Sequence, residues 1–163
     1  MKYLWIGLTR TTQNGELVLQ WDDGFHTAFT NWGINQPSTN EEMKWTVMDQ
    51  DGSWFLISDH LPVEYPFICQ MHIHVNEIVP NEDYRGEQLE CSHHHYHDTS
   101  WHEYGSWCFR AEPNKLTFAE GNAICQSQSV PSHLASIHSQ DENNQLTSLI
   151  KERVEILVES HII

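Results

Sequence analysis

The chain has little positive charge. Eight of its 163 residues are lysine or arginine against 23 aspartates and glutamates, for a formal net charge of −15. That balance excludes nucleic acid as a partner, because affinity for a phosphate backbone comes from neutralising many phosphates with basic side chains. It excludes anionic membrane surfaces on the same ground. No apolar run reaches the roughly 18 residues of a membrane-spanning helix, so no membrane insertion by this segment is expected. The opening Met1-Lys2-Tyr3-Leu4-Trp5-Ile6-Gly7-Leu8 is too short for the apolar core of a secretion signal, and Thr9-Arg10 follows at once. As written, the chain is expected to have no export signal. Enzyme signatures are also missing. There is no Gly-x-Ser-x-Gly and no phosphate loop, and His102-Glu103 lacks a second histidine three residues further on. The carboxylates between residues 139 and 155 read as a solvated helix face. No enzyme is expected.

Aromatic residues are plentiful. Seven Trp, five Tyr and six Phe supply enough buried area for a core and exclude disorder along most of the chain. The four cysteines, Cys69, Cys91, Cys108 and Cys125, allow three pairings. None forms a Cys-x-x-Cys pair, so a zinc ribbon or a thioredoxin-type redox site is not expected. The spacing suits an extracellular disulfide module, and a fragment of a longer secretory protein would reconcile that with the missing export signal.

The first part of the chain reads as short strands and loops. Residues 3–8 form an apolar strand, and Leu17, Leu19 and Trp21 alternate with polar neighbours as a second strand with one buried face. Asp22-Asp23-Gly24 is a turn, and Asn31 to Glu42 has no periodicity and reads as a long loop. Trp45, Val47 and Trp54-Phe55-Leu56-Ile57 flank Asp51-Gly52 as a hairpin, and Tyr65 to Met71 is a further strand. Residues 72–90 are acidic and poor in anything to bury. The last third is helical. Thr117-Phe118-Ala119-Glu120 is a capping box before a helix carrying Phe118, Ala119, Ala123, Ile124 and Cys125. His133 to Ile137 reads as a short strand, and Ser139 to Glu142 as a second capping box. Leu146, Leu149, Ile150 and Val154 follow at helical spacing. Ile156-Leu157-Val158 and Ile162-Ile163 are β-branched enough to predict a terminal strand.

Four pieces of the first part, Trp5-Ile6-Gly7-Leu8, Trp21-Asp22-Asp23-Gly24, Phe29-Thr30-Asn31-Trp32 and Pro66-Phe67-Ile68-Cys69, together resemble the second half of a C-type lectin-like domain. Cys91 to Ile150 resembles the first half. The matching elements are Trp101, Tyr104-Gly105-Ser106-Trp107-Cys108-Phe109, Thr117-Phe118-Ala119-Glu120, Cys125 and His133-Leu134-Ala135-Ser136-Ile137, followed by Ser139, Glu142 and Leu149-Ile150. The order is that of a cut through two adjacent domains of a tandem array. It is similar to the mannose receptor family, which includes the DEC-205 and phospholipase A2 receptor types. The resemblance implies an α+β, C-type lectin-like fold: two helices with antiparallel sheets and a long loop region. Residues 1–71 are a C-terminal half, 72–90 an acidic linker and 91–163 an N-terminal half. Packing of the two halves on each other would close one domain in circularly permuted order, since each half alone leaves an apolar face wet.

The same resemblance implies a Cys69–Cys125 bridge between the first helix and the last strand, and a Cys91–Cys108 bridge of the N-terminal hairpin. It also implies non-enzymatic recognition of a glycan or protein ligand by an endocytic or adhesion receptor ectodomain at the cell surface. The family's sugar site is a calcium ion, which takes about six to eight oxygen ligands. In the corresponding loop Gln36-Pro37-Ser38 has Ser38 where an acid or amide belongs, and Glu42 stands one step early before Met43 and Lys44. Phe55-Leu56 replaces an Asn-Asp pair after Trp54. With Gln36 as the one clear ligand, no cofactor is expected and recognition without calcium follows. Trp45 stands where the family has a cysteine whose partner is also missing, so Trp45 and Trp54 are expected to hold the long loop by packing.

A reading from another class rests on His93, His94, His95, His97 and His102, which lie between Cys91 and Cys108. Clustered imidazoles with two thiolates can bind zinc or copper, with His93, His95, His97 and His102 as ligands. Consecutive histidines in an extended loop point apart, and oxidised cysteines are not ligands, which favours a solvated loop within a disulfide hairpin. Near pH 6 such a cluster gains charge.

Overall fold

Strand β1 (Tyr3–Gln13) is the centre of the molecule, and it runs further than its apolar start indicates because its second half has a partner of its own. In this computed structural model, residues 3–58, 60, 62–72, 91, 101–128 and 132–159 are described, the last seven as backbone only. Asn14 and Gly15, both at positive φ, turn β1 into β2 (Glu16–Trp21), which pairs with it antiparallel. Strands β3 (Met43–Asp49) and β4 (Trp54–Ser58) form the hairpin around Asp51-Gly52, and β3 pairs with β1 on its other side. Strand β5 (Tyr65–His72) lies parallel to β1, with Trp5 opposite Phe67.

The second part of the chain adds to the same sheet. Strand β6 (His102–Tyr104) turns into β7 (Trp107–Leu116), which pairs antiparallel with β5 from Tyr65 to His72. Helix α1 (Phe118–Gln126) follows, then β8 (His133–Leu134) on β5, then α2 (Gln140–Glu159). The eight-stranded mixed sheet has the order β4-β3-β1-β5-β7-β6, with β2 and β8 attached to β1 and β5. This is the α+β, C-type lectin-like arrangement of two helices about a sheet.

Alternation along β1 sends side chains to two interiors. Leu4, Ile6 and Leu8 enter a cluster with Trp21, Met48 and Trp54 that also holds Phe109, Ile137, Leu146 and Ile150. Trp5 enters the other, with Phe67, Met71, Phe118 and Leu134 around the two disulfides. Both clusters draw on residues from each end of the chain, so neither segment buries its own apolar face alone. Gly7 is required at the crossing. Its N–H donates to the Ala135 carbonyl at 2.8 Å, and a Cβ there would stand 2.6 Å from the Leu134 carbonyl oxygen. Cys69 on β5 is bonded to Cys125 on α1, and Cys91 to Cys108 on β7.

Three local expectations need correction, and the inward face of the first helix can be assigned. Residues 156–158 are helical, because α2 runs unbroken to Glu159; no Gly or Pro interrupts it, and extending a nucleated helix outweighs β propensity. Ile162 and Ile163 lie outside the described residues. The inward stripe of α1 is Phe118, Gly121 and Cys125, while Ala119, Ala123 and Ile124 face out. Gly121 is the residue that lets the helix approach Phe67. In β2 burial fades from Trp21 through the partly buried Leu19 to Leu17, which is 48% exposed. Trp45 does not hold the long loop. It stacks on Phe118 at 4.4 Å between ring centroids, on the face of the sheet that carries α1.

The second capping box is also displaced. The Glu142 N–H donates to Ser139 Oγ as expected, at 3.2 Å, but the Glu142 carboxylate accepts from the His138 N–H, at 2.6 Å. The linker expected over 72–90 has only its first residue, His72, among those described.

Candidate functional site

The long loop between β2 and β3 is built around Trp54, which is fully buried. The Trp54 backbone N–H donates to the Asn31 carbonyl at 2.9 Å, and its carbonyl accepts from the Gly33 N–H at 2.9 Å. Trp21, Phe29 and Trp32 meet its ring edge-on at 5.5, 5.6 and 5.8 Å. Its indole N–H donates to Asn143 Oδ1 on α2 at 2.9 Å. Asn143 and Asn31 in turn both donate to the Gly52 carbonyl, at 3.1 and 2.7 Å. One aromatic peg thus ties the loop, the β3–β4 turn and the last helix together. The sequence gives no sign of this role, since Asn143 is one of two adjacent Asn in a helical pattern and its partner is 89 residues away.

Beyond Gly33 the chain passes a cis Gln36-Pro37 bond and turns back. Gln36 and Ser38 come together here. Gln36 Oε1 accepts from the Ser38 N–H and from the Leu56 N–H, each at 3.1 Å. Ser38 Oγ accepts from the Asn40 N–H at 3.2 Å. Glu42 is not part of this group. Its side chain is 63% exposed and its carboxylate faces His60 at 3.8 Å. The residue that closes the loop from beneath is Arg10, only 6% exposed, whose two terminal nitrogens donate to the carbonyls of Ser38 and Asn40. The sequence did carry a signal for it. Arg10 opposes Leu19 as Leu8 opposes Trp21, so it sits on the apolar side of β1, where a charge needs a reason.

The loop's oxygens already have partners. Gln36 Oε1 already accepts two amides, Ser38 and Asn40 offer carbonyls already bonded to a guanidinium, and Glu42 is turned away. A divalent ion would have to take these oxygens from a fixed positive charge while still short of its ligand number.

At the far side of Trp21, Asp23 and His138 form a second polar centre. His138 Nε2 lies 2.9 Å from Asp23 Oδ2, and Asp23 Oδ1 accepts from the Phe25 N–H at 2.8 Å. The Asp23 side chain is 4% exposed and that of His138 24%. Burial pushes the Asp23 carboxyl up, but hydrogen bonds from His138 and the Phe25 amide outweigh it and hold the group below its ordinary value. The hydrogen bond to Asp23 raises His138 above its ordinary value, against the opposing effect of burial. A depressed carboxyl stabilises the fold above pH 3.8, and that stability is lost as pH falls through its lower folded value. A raised imidazole stabilises fully below pH 6.5, and that stability is lost as pH rises through its higher folded value. The pair therefore contributes in full between these limits and fades on the alkaline side. Thermal melts should give a higher midpoint at about pH 6 than at about pH 8, with the difference shrinking in His138→Gln; an unchanged difference in the variant would show that the pair does not contribute.

His102 lies on β6 beside a shallow depression of about 150 Å³ that Tyr104, Gln145 and Glu152 also line. His93, His95 and His97 lie outside the described residues. Among the described residues no group of three or more His, Cys, Asp or Glu is placed to hold a metal, and no helix is long and apolar enough to cross a membrane.

The fold is C-type lectin-like, and the chain is similar to proteins of that kind. The chain is 26% identical to human C-type mannose receptor 2 over 94% of its own length and 10% of that protein's. It is 24% identical to lymphocyte antigen 75 of Mesocricetus auratus, over 94% of the chain and 8% of the relative. A shorter match, 48% identical over 28% of the chain and 37% of the relative, is to echinoidin of Heliocidaris crassispina. The chain thus spans about a tenth of the length of the mannose receptor 2 proteins it matches. No family model and no solved structure matches it.

Proposed function

We propose that the chain is a non-enzymatic recognition module of a C-type lectin-like receptor ectodomain at the cell surface, which binds a glycan or protein ligand without calcium. Residues 1–71 and 91–163 serve as complementary halves of lectin-like domains, with 72–90 as the connection between them. The observation that carries the reading is the long loop. Its shape is fixed by Trp54, Gln36 and Arg10, and the oxygens that would hold an ion are already engaged. A loop ordered by the protein itself presents a preformed surface, which lowers the ordering cost of binding. Ile34, 88% exposed in the turn after Gly33, gives that surface an apolar contact point.

The test is binding of the chain to a glycan array and to a panel of secreted and cell-surface glycoproteins, each with calcium and with EDTA. Binding that is unchanged by chelation, and weakened by Ile34→Asp, supports the reading. Binding to mannose-type sugars that vanishes in EDTA overturns it.

A further inference from the structure

We propose that Arg10 is the long loop's own cation: a positioning residue that holds residues 31–42 in their recognition-ready shape, so that the loop's order does not depend on a dissolved ion. The proposal deepens the reading of the loop as a recognition surface, but it concerns the loop's order and can be tested without any ligand.

The geometry is specific to a guanidinium. Arg10 leaves β1 from the face it shares with Leu8, and its two terminal nitrogens divide between the carbonyls of Ser38 and Asn40. Those carbonyls are two residues apart in a segment that is neither strand nor helix. The Asn40 carbonyl also accepts from the Met43 N–H at 3.2 Å, so without the guanidinium it is the Ser38 carbonyl that would lose its partner among the described residues. A planar fork can reach both at once, whereas an ammonium offers a single point of charge. Among the described residues no carboxylate pairs with Arg10. Its charge is therefore answered by backbone dipoles of the loop, as a bound cation's charge would be. The hold propagates. Ser38, pinned through its carbonyl, donates its N–H to Gln36 Oε1, which also takes the Leu56 N–H of β4. Asn40, pinned in the same way, accepts the Glu42 N–H on its side chain at 3.0 Å, at the entry to β3. One side chain thus links β1 to both ends of the turn.

The loop carries its own reporter, because Glu41 and Glu42 are exposed cleavage sites for a glutamate-specific protease. In the native, oxidised chain, cleavage after these residues should proceed at the same slow rate with calcium and with EDTA. In Arg10→Ala it should accelerate at least about tenfold, because two charge-assisted bonds that hold the segment closed are gone. Arg10→Lys should fall between the two. The amide of Leu56 should lose exchange protection alongside, while amides of β5 and β7 keep theirs; that distinguishes a released loop from an unfolded protein. Equal protection in Arg10→Ala and wild type overturns the proposal. So does a wild-type loop that EDTA exposes, an arm that holds even if the alanine variant fails to fold. A loop that stays protected in a chain binding no ligand would overturn the recognition reading and leave the role of Arg10 standing.

Discussion

Replacing Cys69 and Cys125 together by alanine should cost about 4 kcal/mol, the chain-entropy value for a closed loop of this size. The two cysteines are 56 residues apart in sequence, and both are fully buried between β5 and α1. For a chain of this length that corresponds to a fall in melting temperature of roughly 8–16 °C. The Cys91–Cys108 bridge spans only 17 residues and should cost about 3 kcal/mol on the same model. The larger loss is expected at the bridge that fastens the last strand of the first segment to the first helix of the second. Thermal melts of the two double variants, compared under non-reducing conditions, check the order. A Cys69→Ala, Cys125→Ala protein that melts with the wild type would mean that this bridge does not constrain the chain as described.

Trp54→Ala should be nearly as damaging, by about 3–5 kcal/mol, since a buried aromatic is lost and the space cannot close easily. The ring touches Trp21, Phe29 and Trp32, all from the first segment, while its N–H reaches Asn143 on α2. Trp54→Phe keeps part of the ring contact but leaves Asn143 Oδ1 buried without its donor, at about 1–3 kcal/mol. Denaturant unfolding should rank wild type, Trp54→Phe and Trp54→Ala in that order of stability. A cost below about 1 kcal/mol for Trp54→Ala would remove this residue from the centre of the loop.

What could be read from the sequence was what neighbours in the chain decide. Leu4 to Leu8 is apolar without interruption, the Asp51-Gly52 turn lies between Trp45 with Val47 and the run Trp54 to Ile57, and Thr117 with Glu120 makes a capping box whose two reciprocal bonds both form. What could not be read depends on distant partners. Trp45 and Trp54 look alike in the sequence, yet one stacks on α1 and the other plugs the loop, because they occupy different faces of one hairpin. Asp23 and His138 are 115 residues apart, and no local pattern joins them. Ile156-Leu157-Val158 misleads for the opposite reason. Its β propensity is local, and the helix that overrides it begins at Gln140. Of the site, Gln36 and Ser38 could be found by resemblance. Arg10 could be found only by asking why a charge follows Leu8 on a buried face.

The claim beneath the rest is that two ends of the chain close over shared interiors. Leu4, Ile6 and Leu8 meet Leu146 and Ile150 on one side of the sheet, and Trp5 meets Phe118 on the other. The measurement that bears on it most directly is a non-reducing peptide map of the native chain. The account predicts one linked peptide pair containing Cys69 with Cys125 and another containing Cys91 with Cys108. Cys69 found joined to Cys91 or Cys108, or to a second molecule, would contradict it.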